Sequence, residues 1–283
     1  MKEIEYYTCD VFTDTRYGGN QLAVITNAVG LTDDQMQKIA KEFNFSETTF
    51  VLPSENGHTK RVRIFTPMHE IPFAGHPNIG TAFILAKTGV LGDFEKALNI
   101  TFEEKAGIVP IKIKRTKDSY SCELEAPEQF SISEEISTKL VADALSIEKT
   151  EIKTDNHQPI IASSGFPFLL VELKSIESLK KVKVNHPGFE DLPKNTTPLN
   201  IHLYTKSNGQ EDFKTRMFAP LHGIMEDAAT GSANCALTGL LAHLTPQENG
   251  TYSYTFSQGV EMGRPSILHG KADKKDGLSL IHI

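Results

Sequence analysis

The sequence predicts an α+β fold built from two similar halves, in each of which a sheet wraps around a central helix. Three observations predict it. A motif recurs at about half the chain length, each copy of the motif leads into a helix pattern, and strand patterns outnumber helix patterns. The chain has 283 residues, of which 39% are hydrophobic and 23% charged, so it is long enough to bury a substantial core.

The repeated motif begins at Arg63 in the first copy and at Arg216 in the second. Arginine, phenylalanine, proline, histidine and isoleucine each recur at one offset of 153 residues. A few residues later both copies reach a turn of small residues, 75–82 and 229–233, that runs into apolar residues at helical spacing. Five identities in register, followed by the same architecture, indicate two similar halves and not a short-repeat solenoid.

The remaining elements alternate along the chain. One helix begins at the capping box 32–35, and the similar sequence 131–134 predicts a second helix start. Strand-like segments are 5–12, 22–26, 48–52, 61–66, 108–114, 168–173, 200–205, 251–256 and 278–283. Short turn-like stretches join several of them, which favours sheets wrapped on a helix over a doubly wound parallel sheet.

A domain boundary is predicted near residue 126, because 125–129 interrupts the pattern. The N-terminal half is then 1–125 and the C-terminal half 126–265, with the strand 266–283 left free to return to the N-terminal half. Two related halves usually place a small-molecule site in the cleft between them.

Charge and cysteine content exclude several classes of protein. The chain has 29 basic and 36 acidic residues, a net charge of −7 and no basic stripe, which argues against a nucleic-acid partner and an anionic membrane surface. No apolar run approaches the roughly 20 residues of a membrane helix, and the charged N-terminus lacks a signal-peptide core. The three cysteines lack metal-ligand spacing, which predicts a cytoplasmic protein without a built-in metal.

The two turns carry the first candidate chemistry. A helix N-terminus leaves about four N–H groups without intrahelical partners, and small residues let a ligand approach them closely. Two such helix starts facing one cleft, at Gly75 and Gly231, would hold a carboxylate or stabilise an enolate-like charge. His76 and Asp227 lie in these turns, although each, taken alone, is more often a cap or a core hydrogen-bonding residue.

A third candidate is Glu47, between a predicted helix and a strand and flanked by Phe45 and Phe50. A carboxylate in an apolar setting has a raised pKa and can act as general acid and base, whereas the same residue in an open turn is simply solvated. The sequence contains no G-x-G-x-x-G and no G-x-S-x-G, which leaves a dinucleotide site without support and weakens a hydrolase that uses Ser232.

These motifs closely resemble the hallmark of the phenazine-biosynthesis PhzF-like family. The resemblance is carried by Glu70–Ala82 and Glu226–Asn234, with supporting matches at 11–12, 19–24, 44–48 and 258–266. The matches occur in family order and span nearly the entire chain. Gln21 and Ala228 stand where the family commonly has proline, which affects turn rigidity more than catalysis.

The resemblance implies two pseudosymmetric diaminopimelate-epimerase-like halves and a cofactor-independent isomerase, commonly a homodimer. It implies that Glu47 shuttles a proton with His76 and Asp227 beside it. The substrate-binding residues that it implies are Asn20, Gly75, Gly231 and Ser232. Epimerase relatives use two cysteines, one at each turn, and this chain has Ala74 and Asp227 there, which excludes two-thiol racemisation.

The predicted function is therefore a cofactor-free proton transfer on a small carboxylate-bearing metabolite. Its predicted catalytic residues are Glu47 as general acid and base, with His76 and Asp227 helping to hold and relay the proton. Two alternatives stay open. One is a noncatalytic metabolite-binding or regulatory protein that uses the same cleft, and the other is a hydrolase that uses Ser232 with a histidine. The sequence identifies neither the substrate nor the pathway.

Overall fold

A computed structural model describes residues 3–193, 200–275 and 278–283, and the chain divides into two compact units. Unit 1 comprises Met1–Phe12 and Asn20–Pro127, and unit 2 comprises Thr13–Gly19 and Glu128–Ile283. No sequence pattern predicts that Thr13–Gly19 belongs to the second unit. Arg264 holds this segment, because its Nε donates to Gly19 O at 2.9 Å and its Nη2 donates to Gly18 O at 2.8 Å.

Unit 1 is an eight-stranded sheet with two helices. Its elements are β1 (Tyr7–Val11), β2 (Asn20–Ile25), α1 (Asp33–Phe43), β3 (Glu47–Leu52), β4 (Lys60–Phe65), β5 (Glu70–Ile71), α2 (Gly75–Lys87), β6 (Ala97–Glu104), β7 (Gly107–Arg115) and β8 (Tyr120–Leu124). The strand order is β1-β2-β3-β4-β6-β7-β8, with β5 paired to β4. The pairs β2–β3 and β4–β6 are parallel.

The sheet of unit 1 wraps around α2, which is buried along most of its length and packs on β1, β2, β3, β7 and β8. A helix that is apolar all round belongs in a core. Gly80 permits this close packing, since a Cβ there would lie 2.6 Å from Leu22 Cδ2 and 2.7 Å from Val11 Cγ2. The capping box of α1 is also present, because Thr32 Oγ1 accepts from the Gln35 N–H at 3.2 Å.

Unit 2 is a nine-stranded sheet around α6. Its elements are β9 (Ser131–Glu135), α3 (Thr138–Leu145), β10 (Ile160–Ser163), β11 (Pro167–Glu172), α4 (Ile176–Lys181), α5 (His186–Glu190), β12 (Ile201–Lys206), β13 (Phe213–Ala219), β14 (Ile224–Asp227), α6 (Gly231–Leu244), β15 (Gly250–Gln258), β16 (Ser266–Lys275) and β17 (Leu278–His282). The order is β17-β16-β15-β13-β12-β11-β10-β9, with β14 paired to β13. The helix α6 packs on β10, β11, β15, β16 and β17.

One predicted helix start differs from the structure. The sequence 131–134 is not a helix start but strand β9, because its backbone pairs with β10 through Ser131–Ser163 and Glu135–Ile160. The helix α3 begins later, where Ser137 Oγ accepts from the Lys139 N–H at 3.3 Å. Sheet pairing over several residues outweighs one local capping pattern.

The strand 266–283 does not return to the N-terminal half. Its first part, β16, pairs antiparallel with β15 from Ser266 to Lys274, and β17 then pairs with β16. Leu268, Ala272 and Ile281 are buried in unit 2, and both strands pack on α6, so they extend the sheet of unit 2 over this helix. Within the parts of the chain that the structure describes, none of the helices combines the length and apolar character of a membrane span.

Candidate functional site

Each copy of the repeated motif builds a charged pair beside its turn. In unit 1, Arg63 of β4 donates to Glu70 of β5 through Nε–Oε1 at 2.7 Å and Nη2–Oε2 at 2.8 Å. The guanidinium lies over the Phe65 ring, 5.2 Å from its centroid. Such a two-bond ion pair fixes the orientation of both side chains, and here it ties the two strands that lead into α2.

The same arrangement recurs in unit 2. Arg216 of β13 donates to Glu226 of β14 through Nε–Oε1 and Nη2–Oε2, both at 2.8 Å, and lies 4.8 Å from the Phe218 ring centroid. The arginines and phenylalanines keep the offset of 153 residues, whereas the two glutamates are 156 residues apart. Three more residues therefore separate the arginine from its glutamate in unit 2.

This longer connection changes which residues correspond in the two turns. Ile71 pairs with Ile64 in unit 1, and Asp227 pairs with Met217 at the matching position of unit 2. The isoleucine match of the sequence analysis, 71 with 224, is therefore not a structural equivalence. At the offset of 156 residues, Gly75 corresponds to Gly231, and His76 corresponds to Ser232.

The first turns of α2 and α6 contain the same hydrogen bond from an asparagine side chain to a backbone carbonyl. The Asn78 Nδ2 donates to Ala74 O at 3.0 Å, and the Asn234 Nδ2 donates to Thr230 O at 3.0 Å. The N-cap residues of the two helices, Ala74 and Thr230, make no capping bond to them with their own side chains. Both turns therefore present helix N–H groups in the manner that anion sites use.

In unit 1 the turn brings together Glu47, His76 and Asn20. The Glu47 Oε2 lies 3.3 Å from His76 Nε2, and the Asn20 Nδ2 lies 3.3 Å from His76 Nδ1. The three side chains come from the starts of β3, α2 and β2, and all are buried, with exposed fractions of 8%, 4% and 3%. Leu22 of β2 pairs with Glu47 of β3, which fixes the register of the two strands.

His76 is neutral at pH 7. Burial lowers its pKa to about 3, and a backbone hydrogen bond with Gln21 opposes that shift only in part. The Nδ1 side of the ring faces Asn20, so Nε2 is the nitrogen that faces Glu47. A neutral imidazole beside a carboxyl group can pass a single proton across this contact.

In unit 2 the turn holds Asp227, which is also buried. Its Oδ2 accepts from Thr230 Oγ1 at 2.6 Å. Gly231 is buried and Ser232 half-buried in the first turn of α6. The structure thus brings Glu47, His76, Asn20 and Gly75 together in unit 1, and Asp227, Gly231 and Ser232 together in unit 2.

Three polar residues that support these turns are not among the predicted site residues: Thr230, Gln258 and Glu104. Thr230 and Gln258 do lie in segments that carry the family resemblance, whereas Glu104 does not. The first two bond to Asp227, and Glu104 lies beside Asn78. A signal existed for part of this set, because asparagine recurs at 78 and 234 in the matched turns. Nothing in either turn points to partners on β6 or β15, which follow later in the chain.

The cysteines do not take part in either turn. Burial raises the thiol pKa of Cys9, Cys122 and Cys235 to about 12, which keeps all three protonated at neutral pH. In the described part of the chain, no group of three or more His, Cys, Asp or Glu side chains is placed to hold a metal ion.

Two duplicated halves, each a sheet around a buried helix, define a protein of the diaminopimelate-epimerase-like fold. The family model for phenazine biosynthesis-like proteins, PhzC-PhzF, matches residues 9–279, and the chain belongs to this family. An uncharacterized isomerase of Mesorhizobium japonicum is 34% identical over 277 residues, which cover 95% of this chain and 90% of that protein. A trans-2,3-dihydro-3-hydroxyanthranilate isomerase of Pseudomonas aeruginosa is 32% identical, over 95% of this chain and 90% of that protein.

Solved structures agree with this assignment. The phenazine biosynthesis protein of the PhzF family from Bacillus anthracis has a TM-score of 0.90 and 25% identity, covering 100% of this chain and 96% of that one. A hydroxyproline epimerase from Agrobacterium vitis has a TM-score of 0.62 at 14% identity, covering 93% and 84%, and supports the fold alone. The family resemblance and the fold class predicted from the sequence are confirmed.

Proposed function

We propose that this protein is an isomerase that moves a proton on a small carboxylate-bearing molecule, with Glu47 as general acid and base and without a cofactor. The observation that carries the proposal is the buried contact of 3.3 Å between Glu47 Oε2 and His76 Nε2, beside the N-terminus of α2. The trans-2,3-dihydro-3-hydroxyanthranilate isomerase of Pseudomonas aeruginosa supports it, because an anthranilate derivative is a carboxylate and its isomerisation conserves all atoms.

In the proposed reaction, the Glu47 carboxylate accepts a proton from a substrate carbon. The electron pair of the broken C–H bond forms a new double bond to the neighbouring carbon, and the electrons of the former double bond move to the far carbon of the substrate. Protonated Glu47 then returns the proton to the far carbon, so that nothing is oxidised or reduced. Helix N–H groups aimed at the developing negative charge would lower the barrier by about 3 kcal/mol for each well-placed donor.

The other residues have supporting roles in this proposal. His76 helps Glu47 to hold and relay the proton through its Nε2, which faces the carboxyl group, and Asn20 orients the imidazole from the Nδ1 side. Gly75 leaves room for a carboxylate at the start of α2. Asp227, Gly231 and Ser232 are proposed as site residues of unit 2, on the strength of their place in the second copy of the turn. The homodimer and the cytoplasmic location stay predictions.

The test is deuterium incorporation from heavy water into a panel of unsaturated and hydroxylated carboxylic acids. Wild type should exchange at least one of them, and Glu47→Gln should lose at least about 100-fold in rate, the usual contribution of a general acid or base. Glu42→Gln, which changes an exposed acid on α1, is the matched control and should exchange normally.

Unchanged exchange in folded Glu47→Gln would remove Glu47 from the mechanism. Binding of an acid without exchange across the whole panel would favour the noncatalytic alternative. Covalent labelling of Ser232 by a phosphonate probe, together with turnover of an ester or amide, would favour the hydrolase.

A further inference from the structure

The strand registers of the two units correspond residue by residue. In unit 1 the parallel pair β4–β6 joins Lys60 to Phe102 and Arg61 to Glu103, and in unit 2 the parallel pair β13–β15 joins Phe213 to Phe256 and Lys214 to Ser257. In both units the first pair lies three residues before the arginine of the repeated motif. The next residue is Glu104 on β6 and Gln258 on β15, so these two occupy equivalent positions.

In unit 2, Gln258 ties the end of β14 to the first turn of α6. Its Nε2 donates to the Asp227 carbonyl at 2.9 Å and to Thr230 Oγ1 at 3.0 Å. Its Oε1 accepts from the Thr230 N–H at 3.2 Å and from Asn234 Nδ2 at 2.9 Å. The amide uses both its donor and its acceptor, and one of the groups that it holds belongs to Asp227.

In unit 1, Glu104 lies beside Asn78, the equivalent of Asn234. Among the described residues, neither carboxyl oxygen of Glu104 has a hydrogen-bond partner of normal geometry, and the same is true of Asn78 Oδ1, although the Asn78 side chain lies close enough to interact with the carboxyl group. Burial raises the pKa of Glu104 to about 8, although the Asn78 amide favours the ionised form. At pH 7 the side chain is therefore mainly neutral, with one O–H donor and one carbonyl acceptor, as in an amide.

A cavity of about 200 Å³ borders Glu104, and charged groups from several elements surround it. They are Glu55 after β3, Arg61 and Arg63 of β4, Glu70 of β5, Glu103 of β6 and Lys105 just after it. The basic groups are engaged elsewhere, because Arg61 pairs with Glu55, and both Arg63 and Lys105 pair with Glu70. His76, in the first turn of α2, is neutral.

We propose that protonated Glu104 is the counterpart of Gln258, a positioning residue that holds the first turn of α2, and with it His76, in place. The inference rests on the proposed function only where it concerns catalysis. The O–H supplies a donor for Asn78 Oδ1, and Asn78 in turn braces Ala74 two residues before His76. Loss of the proton removes the donor and leaves a buried anion beside the turn.

The experiment follows the ring signals of His76 by NMR in full-length protein with isotopically labelled histidine, from pH 6 to 9.5. In wild type these signals should shift with a midpoint near the pKa of Glu104, about 8. Glu104→Gln should abolish the transition and keep the low-pH signals throughout. Glu103→Gln is the matched control, because Glu103 binds Ser54 Oγ and the N–H groups of Glu55 and Asn56, and it should keep the transition.

The deuterium exchange assay gives the second readout. Above pH 8 the wild-type kcat should fall about 10-fold per pH unit, with a smaller change in KM, while Glu104→Gln should keep its low-pH rate. Glu104→Ala, if it folds, should be slow at every pH. A transition that persists in Glu104→Gln overturns the inference. A His76 transition that Glu104→Gln removes in a protein without any exchange upholds the positioning role and contradicts the proposed function alone.

Discussion

The first turns of α2 and α6 share a backbone plan but differ in the polar groups buried beside them. Both have an arginine–glutamate pair, a glycine at the helix start and an asparagine that bonds to the preceding turn. In unit 1 the turn carries His76 against Glu47, whereas in unit 2 the equivalent of His76 is Ser232.

This comparison distinguishes residues that maintain the structure of the turn from residues that are candidates for function. Features present in both copies orient the turn, and features present in one copy only are candidates for function. Asp227 belongs to the second kind, because its equivalent in unit 1 is the apolar Ile71. Thr230 likewise has no polar counterpart, since Ala74 stands at the matching position.

The largest expected effect tests the shared arginine pairs. Arg216→Ala should lower the free energy of unfolding by about 3–5 kcal/mol, because it leaves the partly buried Glu226 without this ion pair and also removes the bonds from the buried guanidinium to the carbonyls of Leu179 and Val182. Arg63→Ala should cost less, because Glu70 keeps Lys105. Urea unfolding measures both, and equal losses would contradict the difference drawn between the two copies.

A smaller effect is expected at Gln258. Gln258→Ala leaves the Thr230 N–H without its acceptor, at about 1–3 kcal/mol for a buried donor, while the Asn234 amide keeps its bond to Thr230 O. Thermal unfolding should show this loss, and the exposed Gln129→Ala should show none. A stable Gln258→Ala would mean that the amide does not hold the turn of α6.

The smallest effect concerns the two buried histidines, His76 in unit 1 and His202 in unit 2. Burial lowers the pKa of each to about 3, so the unfolded chain binds more protons than the native one as the pH falls below about 6.5. Each histidine should therefore cost about 2 kcal/mol of stability at pH 5 relative to pH 7.

Unfolding measured from pH 7 to 4.5 checks this expectation. His76→Gln and His202→Gln should each reduce the loss of unfolding free energy between pH 7 and pH 4.5. His186→Gln, at an exposed position, should leave that loss unchanged. If His202→Gln reduced the loss of stability at acid pH and His76→Gln did not, the neutral state assigned to His76 beside Glu47 would be wrong.

Local patterns were enough to predict much of the fold. The repeat from Arg63 to Arg216 predicted two like halves, and each of the strand-like segments overlaps an observed strand. The prediction failed where long-range pairing decides the structure. Strand β9 was mistaken for a helix start, and Thr13–Gly19 joins unit 2 through Arg264, about 245 residues away along the chain.

The candidate site divides in the same way. The sequence and the family resemblance selected Glu47, His76 and Asn20, which the structure brings into contact. Glu104 could not be predicted in this way, because an acidic residue at the end of a strand is usually exposed to solvent. Its place beside Asn78 of α2 follows from the register of β6 against β4, which the local sequence does not show. The raised pKa expected for Glu47 stays a prediction.

The equivalence of Glu104 in unit 1 and Gln258 in unit 2 has a consequence for how this molecule can be studied. An amide and a protonated acid differ by one nitrogen in place of one oxygen, yet only the acid responds to the acidity of its surroundings. Unit 2 therefore serves as an internal control for unit 1. Any effect of pH on the turn beside Glu104 can be compared, in the same molecule, with the turn beside Gln258, whose side chain does not titrate.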